Sequence, residues 1–324
     1  MKLRNPHLLT AAALMSALTI SPALVAQDAA SSDGEERDYQ IQLPAPPEGE
    51  VTFQPPHERD LPDNQYGDMV RKGRDLFINT QSLRGKHVFN DQNCVNCHLD
   101  AGRLAHSAPM WAAFGVYPAY RGKNDKVNTL TDRMQGCFTY SMNGVPPEAG
   151  SEEIVALETY LHWLSTGAPI NESLPGRSYP TLSEAEQEPD ITRGAEVYAA
   201  QCAICHEDDG SGQQVGERWV FPPLWGDGAF NWGAGMHRVN TAANFIKANM
   251  PLGKPYSLTD QQAWDVAAFV NSHERPQDPR RRTMESLDET VDIYHNHMGF
   301  YGDEINGERL GEGDNYGENP TPSE

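Results

Sequence analysis

The chain has 324 residues and a formal charge of −21, with 46 acidic against 25 basic side chains. So strong an acidic excess argues against nucleic acid or an anionic membrane as partner; it suits solubility and docking to a basic electron carrier. Only 38% of residues are hydrophobic, which is thin for a compact fold of this size unless something besides side chains fills the interior.

Residues 1–26 read as an export signal, with Lys2 and Arg4 at the start, an apolar run from Leu8 to Val25 and the small residues of "ALVA" before Gln27. A retained anchor is the competing reading. Thr10, Ser16, Thr19, Ser21 and Pro22 interrupt the run and favour cleavage, which would deepen the charge to −23. Later hydrophobic stretches are too short and broken to span a bilayer. The expectation is therefore a protein of the periplasm with no membrane span after signal cleavage. Residues 27–64 are acidic, proline-rich and aperiodic, an extended arm.

The next part of the chain repeats. "VRKGRDLF" (70–77) precedes "CVNCH" (94–98), and "ITRGAEVY" (191–198) precedes "CAICH" (202–206); each predicts an amphipathic helix delivering a pair of cysteines. An exporting cell oxidises ordinary thiols to disulfides. Cys-x-x-Cys-His instead matches covalent attachment of haem c, where two thiols add to the vinyl groups and the next histidine ligates iron. Cys94, Cys97, Cys202 and Cys205 are thus assigned to two covalent haems, with His98 and His206 as proximal ligands. Haem also supplies the apolar volume that the composition lacks.

Each motif is followed by a proline loop, "SAPMW" with Pro109 and "FPPLWG" with Pro222 and Pro223. Such a loop can offer a carbonyl to the ligating imidazole, against the plainer reading of a surface turn. The copies close with predicted helices over 151–165, where Ile154, Leu157, Leu161 and Leu164 share a face with Tyr160 beside them, and over 259–272, with Trp264, Ala267, Ala268, Phe269 and Val270. Residues 171–190 form a proline-rich linker. The segment 278–324 reads as an irregular tail whose Tyr294, Phe300 and Tyr301 suggest that it packs down.

The distal ligands lie outside the motifs. For the second haem Met250, followed by Pro251, is preferred over Met236 and His237; a thioether there favours reduced iron. For the first, spacing is ambiguous. His206 and Met250 are 44 residues apart, as are His98 and Met142. Yet Cys137, the fifth cysteine, stands near Met142, and Arg133 four residues earlier could keep its sulfur ionised. Between Ala101 and Cys137 the charge balance reverses: Arg103, Arg121, Lys123, Lys126 and Arg133 face only Asp125 and Asp132. That cluster suits an oxyanion, since arginine forks pair with such groups; a solvated face is the plainer account.

The stretch from "CVNCHLDAGRLAHSAPMW" through "TDRMQGCFTYSMNG" resembles the catalytic half of the dihaem thiosulfate dehydrogenases, and "CAICHEDDGSGQQ" through "FIKANMPLG" is similar to that family's electron-exit half. The likeness spans roughly 65–300 and is most specific around Cys137. It implies a mainly α fold of two tandem cytochrome c-like haem domains, 65–170 and 191–277, between the irregular extensions. It implies His98/Cys137 and His206/Met250 as ligand pairs, Arg133 and Ser141 as substrate-binding residues, and Arg121 more loosely. Some members carry lysine before the second-haem methionine and exchange ligands; Asn249 here argues against that switch. The implied reaction couples two thiosulfates to tetrathionate. Electrons would leave through haem two to a soluble acceptor cytochrome, and a transient bond would join Cys137 to one thiosulfate. The alternatives are a dihaem carrier without substrate, ligated by Met142, or the haem subunit of a multi-protein thiosulfate-oxidising complex.

Overall fold

The computed structural model describes residues 50–312 apart from 123, 217 and 298. The signal segment, the first part of the arm, Lys123 and the end of the tail lie outside these residues.

In the first copy Asn64 caps α1 (Gln65–Ile78), its side chain accepting from Gly67 N at 3.0 Å. α2 (Cys94–Cys97) and α3 (Leu99–Gly102) follow, the latter a turn in which Asp100 and Ala101 adopt left-handed backbone, φ 50° each. A hairpin of β1 (Ala119–Arg121) and β2 (Lys126–Asn128) leads to α4 (Leu130–Gly136), which widens directly into a π-turn over Cys137–Ser141. α5 (Glu152–Leu164) closes the copy, capped by Ser151.

The second copy has α6 (Ile191–Gln201), α7 (Ala203–His206), a hairpin of β3 (Gln213–Val215) and β4 (Arg218–Phe221), α8 (Val239–Asn249) and α9 (Asp260–Asn271). The predicted helices all form. The expected face of α9 differs at two residues, Phe269 being only partly buried. Ala263, Val266, Ala267, Ala268 and Val270 are buried, whereas Trp264 is only partly so and donates its indole N–H to Ser183 O at 3.0 Å.

The same device builds both copies. α1 crosses α5 at Gly73, where an added methyl would stand 2.0 Å from Ala156 O; α6 crosses α9 at Gly194, where it would stand 2.1 Å from Asp265 O. No side chain other than hydrogen permits backbones to approach so closely. Around the first crossing Val70, Phe77, Ile154, Leu157, Tyr160 and Leu161 form a continuous core. The Tyr160 hydroxyl donates to Ala101 O at 2.6 Å and pins the left-handed turn. The second core is smaller, around Tyr198, Leu258, Val266 and Val270.

The extensions are less irregular than their composition suggests. In the arm, Phe53 lies against Trp111 with ring centroids 5.4 Å apart, and Glu58 pairs with Arg74 at 2.6 Å. The tail forms a 3-10 turn (Pro279–Thr283), α10 (Leu287–Thr290), a π-turn (Val291–His295) and the β5 (Glu304–Ile305)/β6 (Glu308–Arg309) hairpin. Leu287, Tyr301 and Leu310 pack on Trp232 of the second copy. Of the three tail aromatics expected to pack, Tyr301 is fully buried and Phe300 partly.

A buried polar chain anchors the tail. Asp278, with no exposed surface, accepts from Arg280 at 2.6 Å and from His295 Nε2 at 2.7 Å, while His295 Nδ1 meets His237 Nε2 at 2.9 Å. Burial alone would push the Asp278 carboxyl up, but hydrogen bonds from His295 and Arg280 hold it well below the usual carboxylate range.

Gly194→Ala should lower stability by about 1–3 kcal/mol, the usual cost of overpacking, whereas Gly235→Ala, whose methyl meets nothing within 4 Å, should be near neutral in the same denaturant titration. Asp278→Asn strips a buried ion group of one partner and should cost about 3–5 kcal/mol at neutral pH. Because the folded carboxyl is depressed, that contribution is complete above the ordinary carboxylate pKa and lost as pH falls below about 4. The gap between parent and variant melting temperatures should therefore narrow on acidification.

Two candidate haem sites

α2 is one turn whose end residues, Cys94 and Cys97, are three apart, so both sulfurs leave on one face. Asn96 Oδ1 accepts from Asn93 N at 2.6 Å and Asn93 Oδ1 from Gln81 N at 3.1 Å, which fixes the turn's start. Burial pushes both thiols up to about 12. His98 Nδ1 donates to Ala108 O at 2.7 Å. A carbonyl can only accept, so Nδ1 holds the proton and Nε2 keeps its lone pair. Burial, foremost, lowers the imidazole to about 4 and keeps it neutral.

The second copy repeats this arrangement. Cys202 ends α6, Cys205 and His206 lie in α7, and His206 Nδ1 donates to Pro222 O at 3.2 Å. Burial likewise lowers His206. The proline loops thus supply the carbonyl in both copies, from the residue before Pro109 and from Pro222 itself.

Each set faces a largely apolar cavity. The first has about 1390 Å³ of atom-free space and the second about 1340 Å³, open mouths included. Two thiols and one bare imidazole nitrogen converge on each, which is the donor set a covalent haem requires. Phe77, Leu157 and Leu161 wall the first, and Phe245, Val266 and Val270 the second.

Cys137 and Met142 both line the first cavity, opposite the motif. Cys137 opens the π-turn, and Arg133, one helical turn earlier, points Nη1 at its sulfur at 3.2 Å. The sulfur's field, foremost, raises the guanidinium's pKa. Met142 is a core residue, 4% exposed. Met250 lines the second cavity along with His206, and Met236 lines both cavities. His237 does not: its Nδ1 bonds Ala234 O at 2.6 Å and its Nε2 meets His295, so neither nitrogen is turned to the cavity. The side-chain amide of Asn249 donates to His106 O at 3.1 Å and Phe245 O at 3.0 Å, engaged away from Met250.

The cation cluster divides. Arg121, Arg133 and Ser141 line the first cavity. Arg103 instead donates to the carbonyls of Pro55 and Pro56, and Lys126 pairs with Asp132 at 3.3 Å. Arg177, which the sequence analysis did not single out, lines the cavity from the linker. It is the single basic residue between Asn171 and Asp190, and its isolation in an acidic, proline-rich stretch was the available signal. The linker continues inward: the Tyr179 hydroxyl donates to Cys97 O at 3.3 Å and its ring packs edge-on against Phe245.

Residues 81–170 match the family model "SoxA/TsdA, cytochrome c domain", and 189–270 match "Cytochrome C oxidase, cbb3-type, subunit III". Each range contains one attachment motif. The chain is 56% identical to a thiosulfate dehydrogenase of Stutzerimonas stutzeri over 82% of its own length and 87% of that protein. It is 50% identical to one of Thiomonas intermedia, over 83% and 88%. Among solved structures it resembles thiosulfate dehydrogenase (TsdBA) from Marichromatium purpuratum, with a TM-score of 0.78 and 48% identity; the match covers 81% of this chain and 58% of that longer one. None of the helices among the described residues is long and apolar enough to cross a membrane. With both haem seats present and such relatives over most of its length, the chain belongs to the thiosulfate dehydrogenase family of dihaem c-type cytochromes.

Proposed function

We propose that this protein is a periplasmic enzyme that oxidises two thiosulfates to tetrathionate and passes the two electrons to a soluble acceptor cytochrome. The observation that carries the reading is the Arg133 guanidinium 3.2 Å from the Cys137 sulfur, on a cavity that also holds His98. A carrier without substrate needs neither a cationic pocket nor a cysteine in it.

His98 and Cys137 would hold the first haem iron, and His206 and Met250 the second. Bound there, the two haems supply two one-electron acceptors, and the thioether ligand favours the reduced state at the second. Arg133, Arg121 and Ser141, with Arg177 beside them, bind and orient the anionic substrate. The Cys137 thiolate and the outer sulfur of one thiosulfate form a sulfur–sulfur bond with loss of two electrons. A second thiosulfate then displaces the cysteine by thiol–disulfide exchange, releasing tetrathionate and restoring the thiolate with no further redox change.

The second reading, a carrier ligated by Met142, draws on that residue lining the same cavity. Cys137→Gly separates the two. It should retain both covalent haems and lose nearly all thiosulfate-dependent reduction of an acceptor, with tetrathionate measured as product. The low-spin thiolate signal of the first haem in electron paramagnetic resonance should vanish with it. Met142→Gly should keep that signal. A fully active Cys137→Gly protein would favour the carrier.

At the second site Met250→Gly should abolish the thioether charge-transfer band of the ferric haem and lower its potential, while Met236→Gly should leave the band in place. The reverse pattern would move the ligand to Met236.

A further inference from the structure

The π-turn that carries Cys137 ends a helix, and the last carbonyls of a helix lack partners within it. All four that follow the cysteine are satisfied from outside the turn. Phe138 O accepts from Gly144 N at 2.9 Å. Thr139 O accepts from the side-chain amide of Asn231 at 2.9 Å, and Tyr140 O from the Asn231 backbone N–H at 3.1 Å. Ser141 O accepts from the side-chain amide of Asn90 at 2.7 Å.

Both asparagines are buried, Asn231 completely. Asn231 belongs to the second copy. Its Oδ1 accepts from Gly233 N at 2.9 Å, and its amide also donates to Asn143 Oδ1 at 3.0 Å. The amide of Asn90 also reaches Ala229 O at 3.0 Å, and its Oδ1 accepts from Gln92 N at 3.2 Å. The Tyr140 ring is enclosed from the same side, so closely that a methyl on Gly233 would stand 2.4 Å from it, with the Arg280 guanidinium 4.9 Å from its centroid.

π-Turns are rare and usually occur as single turns inside α-helices. Here four donors outside the turn hold four consecutive carbonyls, and two of the four come from Asn231. Released from them, the segment is free to wind as ordinary α-helix, which turns Cys137 and Ser141 relative to the cavity. We propose that Asn231, seconded by Asn90, is a positioning residue for Cys137, so that the second domain sets where the reactive sulfur stands. The inference rests on the reading of Cys137 as haem ligand and reactive thiolate.

Asn231→Asp and Asn90→Asp test it, because each keeps the acceptor used by Gly233 or Gln92 and replaces the donor. As holoproteins with both haems attached, both variants should show a rise in KM for thiosulfate, since Ser141 turns with Cys137, that is smaller than the fall in kcat. Their kcat should fall about tenfold or more, since misplacing a reacting group by about 1 Å can cost a hundredfold. The low-spin thiolate signal of the first haem should split or shift in both. Asn143→Gly removes the amide's other partner while suiting the left-handed backbone there, φ 45°, and should change neither kcat nor signal. Asn90→Asp decides alone if Asn231→Asp does not accumulate. Variants that melt lower but keep the parental signal and kcat overturn the positioning role and leave the assignment of Cys137 standing. A parent protein without any thiolate signal overturns that assignment, and the positioning role with it.

Discussion

Each half of the molecule depends on one hydrogen bond, from the Nδ1 of a motif histidine to a loop carbonyl. His98 to Ala108 and His206 to Pro222 fix the tautomer, the ring plane and the direction of the remaining lone pair. The acceptor must stand at a set distance from a helix turn only four residues long. The left-handed turn at Asp100 and Ala101 and the Tyr160 hydroxyl do that for the first copy. The glycine crossings of α1 on α5 and α6 on α9 do the rest, since they seat the helix before each cysteine pair against a closing helix. The acidic, modestly hydrophobic composition is compatible with this plan because the interior of each domain is shared with a large apolar prosthetic group.

The two cavities are similar in size and opposite in chemistry. The second has Met250 among mostly apolar lining side chains and no arginine. The first brings a cysteine and arginines from three separate segments, α4, the β1 hairpin and the linker, to one place in a strongly acidic protein. All three arginines keep exposed surface at the cavity, where their charge is open to a small anion.

The elements with a local signature were legible in the sequence. Helical periodicity located α1, α5, α6 and α9, and the two motifs located the haem seats. Gly73 and Gly194 occupy equal places in the repeat, a clue to the crossings that only the structure makes explicit. Equal spacing points to Met142, and the structure places it and Cys137 on the same cavity, Cys137 opening a π-turn and Met142, 4% exposed, directly after it. Residues acting at a distance left a weak local mark or none. Arg177 lies in a stretch that reads as a connector, and Asn231 bonds Thr139 across 92 positions of sequence. The arginines of the cation cluster were indistinguishable by composition, and only packing separates Arg133, aimed at sulfur, from Arg103, which fastens the arm.

The tail shows how the halves are made interdependent. Its Asp278 neutralises Arg280, whose guanidinium lies between the rings of Tyr140 and Tyr294, at 4.9 and 3.9 Å. Its His295 occupies the free nitrogen of His237, which takes that imidazole out of competition for the second iron and leaves the neighbouring methionines as the candidates. The same short polar chain therefore touches the segment next to the second cavity and the ring next to the cysteine turn of the first. Burying Asp278 and Arg280 is tolerable only because each satisfies the other, so this tie between the halves holds while both members of the pair are in place.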